Sequence, residues 1–143
     1  MHDDLLIFKL VRVVNLTARP FEQRVGKPHQ LTLNEWRVMA LVGAQPGCNA
    51  SQVAEHSGLD KMAVSRALAG LQRAKRLQRQ EDPTDQRRSR LYLSAAGREV
   101  YAAALARAQE REAELFSNMS AREREQLGAM LDKLVESVLK ADG

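Results

Sequence analysis

Two sets of side chains near the middle of the chain have types and spacings suited to gripping a polyanion. Lys61, Met62, Ser65, Arg66 and Arg73 fall on the outer face of one helix, opposite an apolar row of Val64, Ala67, Leu68 and Leu71 that follows the i, i+3, i+4, i+7 rule. A mixture of cations, a hydroxyl and a thioether serves no core. An exposed helix of this kind fits the major groove of a duplex, where its N-terminal residues reach base edges. Taken alone, the same pattern also describes an ordinary solvated face. Further along, Asp85 and Arg87 stand two residues apart, so both project to one side of an extended strand, with Arg88 and Arg90 close behind. A carboxylate so placed can hold the Arg87 guanidinium outstretched, a posture suited to the narrow minor groove and its negative potential.

The elements that must position these groups can be read on either side of them. In Ser51-Gln-Val-Ala-Glu-His-Ser-Gly58, Val53 and Ala54 form a narrow apolar seam, and Gly58 can take the positive φ that closes a helix. Asp60 then offers its carboxylate to the free N–H groups that start the next helix. Residues 77–82 and 90–94 predict two short antiparallel strands, with Leu91 and Leu93 on one face and Arg90, Tyr92 and Ser94 on the other. Residues 82–89 are expected to join them as a loop, Asp82-Pro83 opening a type I turn. Helix, three-residue turn, helix and arginine-studded hairpin are the plan of a winged helix.

Gly58-Leu-Asp-Lys-Met-Ala-Val-Ser-Arg66, with Asp85-Gln-Arg87 and Leu91-Tyr-Leu-Ser-Ala-Ala-Gly97, resembles the MarR family of bacterial transcriptional regulators, over roughly residues 5 to 140. The most specific element is the wing pattern Asp-x-Arg-x-x-x-Leu-x-Leu-Ser-x-x-Gly. The resemblance implies a homodimer with a recognition helix in each of two major grooves and a wing in the flanking minor grooves. It also implies repression released by a small molecule or an oxidant. One departure is that Met62 and Ala63 stand where relatives often carry Ser or Thr, which favours apolar contact with thymine methyl groups.

The flanking segments predict helices with their own start signals. Thr32 and Glu35 form a capping box, with Leu31 placed to staple onto Trp36, for a helix from about Leu33 to near Pro46 that carries Val38, Met39 and Leu41 inward. Asn49 and Gln52 repeat the arrangement for the next helix. One long helix is expected from Ala95 to about Asn118, and Ser120 with Glu123 caps another, whose Leu127, Met130, Leu131, Leu134, Val135, Val138 and Leu139 make a single stripe. The N-terminal segment from Leu5 to Leu16 is apolar around most of its circumference. Such a helix needs cover on more than one side, and a second copy of the chain supplies it more economically than a thick monomeric core. The expected fold is therefore mainly α with a small β-hairpin wing. Residues 1–30 and 95–143 would form dimerisation helices and 31–94 a winged helix-turn-helix lobe. A dimer sets two recognition helices about 34 Å apart and implies a near-palindromic operator.

Charge supports the same division. Residues 60–98 carry ten Lys or Arg against four Asp or Glu, whereas the rest of the 143 residues carries twelve against fourteen. A basic middle on a nearly neutral scaffold is the footprint of a polyanion-binding surface. The apolar N-terminal run is too short to span a bilayer and lacks the basic start of a signal peptide, so a cytoplasmic protein is expected. His2, His29 and His56 have no metal-ligand spacing with one another or with Cys48, and there is no phosphate-cradling glycine loop or nucleophilic triad motif. No metal, cofactor or enzymatic activity is expected. Arg12, Leu16, Arg19, Trp36, Met39 and Tyr101 are candidates for lining a cleft with aromatic walls and a cation, Arg12 and Arg19 sharing a helical face where they can engage an acid; the resemblance to the MarR family implies that a small aromatic acid or phenol is what enters it. Two other readings stand beside this one: a winged helix that binds protein or structured RNA, and a redox-sensing regulator using Cys48, the single cysteine.

Overall fold

The computed structural model describes residues 5–142, so His2 and the acidic pair Asp3-Asp4 lie outside the described residues. The chain divides into two compact units, one ending at Ala108 and the other beginning at Gln109.

The first unit opens with α1 (Leu6–Phe21), in which no residue is fully buried: Phe21 packs against the core, while Leu6 and Leu16 are 75% and 65% exposed. Pro20 removes an N–H from its ladder. A π-helical turn (Glu22–Gly26) follows, then a single turn, α2 (Lys27–His29), closed by Gln30 in the left-handed region at φ 53°. The chain then enters α3 (Leu33–Ala44) through the expected capping box, Glu35 N donating to Thr32 Oγ1 at 3.0 Å and Thr32 N to Glu35 Oε1 at 2.9 Å. Val38, Met39 and Val42 form its buried face; Leu41, expected inward, is only half-buried. A second box, Asn49 with Gln52, starts α4 (Ala50–Ser57), and Gly58 closes it at φ +74°.

Asp60 Oδ1 accepts from Ala63 N at 2.8 Å and starts α5 (Lys61–Arg73), which buries Val64, Ala67, Leu68 and Leu71. With Val38, Met39, Val42, Val53 and Leu91, these residues make the centre of the core. Each large apolar side chain so enclosed contributes roughly 1.5–3 kcal/mol relative to exposure.

The wing pairs β1 (Leu77–Asp82) with β2 (Asp85–Leu93), antiparallel, Leu77 opposite Leu93 and Arg79 opposite Leu91. The second strand starts earlier than the sequence suggested, and the expected eight-residue loop shrinks to Pro83-Thr84. The cause is Asp82, whose Oδ1 accepts from both Thr84 N (2.9 Å) and Thr84 Oγ1 (2.7 Å) and closes the turn at once. Glu81 lies opposite Ser89 but Asp82 opposite Asp85, so three residues, 86–88, bulge from β2 alone. Beyond the wing base, the loop after α3 adds a short third pairing: Gly47 N donates to Leu91 O and Leu91 N to Cys48 O, both at 2.8 Å.

Leu-Ser-x-x-Gly, the end of the wing motif, has a direct structural reason. Ser94 Oγ accepts from Gly97 N (3.0 Å) at the start of α6 (Ala95–Leu115) while donating to the Lys75 carbonyl (2.7 Å), and Ser94 N donates to the Arg76 carbonyl (3.0 Å). At Gly97 a Cβ would meet that Arg76 carbonyl oxygen. The second unit holds the end of α6, which stops at Leu115 rather than Asn118, and α7 (Ala121–Asp142), started by the Ser120–Glu123 box. No α7 residue is buried, and its expected stripe is open: Met130 is 58% and Leu139 59% exposed.

Two outcomes follow from these contacts. Gly97→Ala should destabilise the protein by about 1–3 kcal/mol in chemical denaturation, because the added methyl group meets backbone that cannot swing aside. The Asp82 carboxyl is held below its ordinary value, first by the Thr84 hydroxyl, then by the Thr84 amide and the Arg90 charge. Its contribution to the turn is therefore present above the unfolded pKa of about 3.9 and is lost as pH falls through the lowered folded value. In an NMR titration, Thr84→Val should move the Asp82 midpoint upward; an unchanged midpoint would exclude the hydroxyl as the main cause.

Candidate nucleic-acid interface

With one face of α5 in the core, the other points outward. Lys61, Met62, Ser65, Arg66 and Arg73 are all exposed, Met62 to 66%. Because Asp60 caps the helix from outside its first turn, Lys61 and Met62 stand at its leading end. Arg66 folds back along its own helix, Nε donating to the Met62 carbonyl at 3.4 Å.

Two grooves flank this face. One of about 530 Å³ runs between the start of α3, with Thr32, Asn34 and Glu35, and α5, with Arg66 and Arg73. The other, of about 280 Å³, is lined by Ser51 at the start of α4, by Lys61 and Ser65, and by Arg79 from β1. Arg79 is a cation that the sequence reading left out of the site. It lies two residues beyond the buried Leu77, hence on the strand face turned toward α5, and its Nε donates to Gln72 Oε1 at 3.1 Å. That alternation was the available signal.

At the wing tip, the Asp85 carboxylate orients two arginines where one was expected. Its Oδ1 accepts from Arg87 N at 3.0 Å and lies 3.6 Å from Arg87 Nε, while its Oδ2 lies 3.7 Å from Arg88 Nε. The Arg87 side chain is 94% exposed, so the carboxylate directs it without covering it. Exposed pairs of this kind add little stability; their effect here is on direction. Arg90, grouped by sequence with these cations, is placed differently. It is paired with Asp82 at 3.7 Å and sits opposite Gln80, on the strand face turned away from that of Leu77 and Arg79.

The candidate ligand residues do not all come together. Trp36 and Tyr101 pack with ring centroids 6.2 Å apart, and Gly43 lets the Tyr101 ring approach the α3 backbone. Met39 is completely enclosed, so it is a core residue and not a cleft wall. Arg12, Leu16 and Arg19 are exposed on α1. A groove of about 320 Å³ that Tyr101 lines is completed by Pro46, Gln78, Tyr92 and Arg98, with nothing from α1.

Cys48 is 7% exposed, and burial pushes its thiol above the ordinary value. Both effects suppress the thiolate that oxidants attack, against the redox reading. Among the described residues no group of three His, Cys, Asp or Glu is placed to hold a metal ion.

Comparison with known proteins bears on the same segment and the same fold. The model of the MarR family matches residues 29–88, which span α3 to the wing tip. A solved MarR/EmrR family transcriptional regulator from Acinetobacter sp. ADP1 is 28% identical, with 97% of this chain and 96% of that one covered at a TM-score of 0.81. The transcriptional repressor CouR, solved bound to a 23-mer DNA duplex, is 27% identical, with 92% and 93% covered at 0.79. The PcaV transcriptional regulator from Streptomyces coelicolor, solved with its natural ligand, shares the fold at a TM-score of 0.84 over 96% of each chain, at 20% identity. No curated protein matches the chain. With the family model lying on its helix-turn-helix and wing, and solved regulators matching it along nearly its whole length, this chain has the winged helix-turn-helix fold and is similar to the transcriptional regulators of the MarR family.

Proposed function

We propose that the protein is a dimeric, sequence-specific transcriptional repressor that a small aromatic or phenolic compound releases from DNA. Its coarser part, a DNA-binding transcriptional regulator, is supported by the match of the MarR family model and by the likeness to CouR. The observation that carries the rest is the outward face of α5, with Lys61, Met62, Ser65, Arg66 and Arg73 exposed together, beside a wing tip where Asp85 splays Arg87 and Arg88. On this reading α5 enters the major groove and Arg87 the adjoining minor groove, with Arg79 contacting the backbone between them. CouR supports it as a DNA-bound relative. Arg90, tied to Asp82, acts on the turn rather than on the duplex.

Dimerisation through residues 1–30 and 95–143 is supported by the open apolar faces of α1 and α7, which water would otherwise cover at a cost of roughly 25 cal/mol per Å². Two copies would read a near-palindromic operator, and the place of action is the cytoplasm, where chromosomal DNA is reached. No described helix is long and apolar enough to cross a membrane. The effector site would use Arg12, Leu16 and Arg19 on α1 with Trp36 and Tyr101. A compound fitting one spacing of the DNA-binding lobes better than another shifts their population by no more than its differential affinity. The PcaV complex is a precedent for a ligand on this fold.

Three measurements test the reading. In gel retardation on selected genomic fragments, Arg66→Ala should weaken specific binding by about 1–3 kcal/mol and relax sequence preference. Arg79→Ala and Arg87→Ala should weaken it more evenly across sequences; footprints like wild type from all three would remove these residues from the site. Light scattering should report a dimer, and Leu134→Asp on α7 should raise its Kd by about 100-fold or more. Solitary molecules at micromolar concentration would overturn the dimer. A thermal-shift screen of aromatic acids should find a stabilising compound that Arg12→Ala abolishes.

A further inference from the structure

Arg76 makes two side-chain hydrogen bonds that reach far along the chain. Its Nη2 donates to the His29 carbonyl at 2.7 Å and its Nη1 to the Gln30 carbonyl at 3.2 Å, across 47 and 46 residues of chain. His29 and Gln30 end the segment made of α1, the π-helical turn and α2, and carbonyls at a helix end attract a cation. The backbone of the same residue is equally committed. Arg76 N donates to the Leu71 carbonyl at the end of α5, and the Arg76 carbonyl accepts from Ser94 N, where Gly97 leaves it room. One residue therefore joins the α1 arm, the end of α5, the start of β1 and the start of α6.

Its chemistry suits a clamp. A planar guanidinium spans two carbonyls in one geometry, whereas an ammonium group on a flexible stem takes them singly and pivots. The arm it holds is long: α1 has 16 residues, about 24 Å, so a tilt of about 5° at the clamp displaces the far end by about 2 Å. The segment being held follows Pro20 and a π-helical turn and ends on a left-handed Gln30, so regular helical hydrogen bonding alone does not fix its direction.

We propose that Arg76 is a positioning residue for DNA recognition: its guanidinium locks the α1 arm against the α5–β1 junction and thereby sets the separation at which two copies present α5. The inference rests on the dimeric DNA-binding reading above. It assigns Arg76 no contact with DNA.

The test uses full-length wild type, Arg76→Met and Arg76→Lys in gel retardation. The probes are the genomic fragments that wild type retains most tightly, with the half-site separation lengthened or shortened by about two base pairs. Wild type should prefer the native separation by about tenfold or more. Arg76→Met should keep the wild-type oligomer in light scattering yet discriminate by less than about threefold, with Arg76→Lys between the two. Equal weakening of Arg76→Met at every separation, or discrimination like that of wild type, overturns the proposal. A wild-type protein indifferent to separation overturns instead the dimeric reading beneath it, and the proposal falls with it. If circular dichroism shows Arg76→Met unfolded, Arg76→Lys decides: discrimination weaker than wild type supports the clamp, and unchanged discrimination removes it.

Discussion

Everything outward on this molecule depends on the rotation of α5 about its own axis. Val64, Ala67, Leu68 and Leu71 are all buried, and with 3.6 residues per turn their enclosure leaves the helix one orientation. Lys61, Met62, Ser65 and Arg66 then face away from the core by geometry alone. Small residues make the constraint tight. Gly70 leaves room for the Glu35 carboxylate where α5 lies against α3, a Cβ there would displace that carboxylate, and the same Glu35 closes the capping box that starts α3. Start signal, helix crossing and exposed face are thus one connected arrangement.

The wing applies a second principle, that short-range acid–base pairs can aim cations without burying them. Asp82 closes the turn through Thr84 and holds Arg90; Asp85 holds Arg87 and Arg88. In each case the carboxylate faces a cation across exposed space, where screening leaves little net stability. What remains is a narrowed set of arginine orientations. An arginine restrained in this way loses less conformational freedom on meeting a phosphate or a groove than a free one does.

Much of this was legible in the order of residues, because the signals were local. Three capping boxes, the Gly58 turn and the Asp60 cap each depend on groups a few positions apart, and each formed as expected. So did the buried row of α5. The features that escaped depend on longer distances or on geometry between elements. Arg79 joins the candidate interface because β1 lies beside α5, and the pairing of Arg90 with Asp82 depends on where the turn closes. Met39 was read both as an inward residue of α3 and as a cleft wall, and packing decides for the first. The early start of β2 needed the Asp82–Thr84 hydrogen bonds, which a turn signal announces without fixing its length.

The bulge at residues 86–88 separates two demands that the hairpin would otherwise have to meet together. Leu91 and Leu93 are locked in the core, opposite Arg79 and Leu77, while the three extra residues belong to one strand only. Lengthening or shortening that excursion leaves the buried register untouched. The reach of the arginine-bearing tip can therefore be retuned by insertion or deletion, toward deeper or shallower grooves, with the rest of the domain mechanically indifferent to the change.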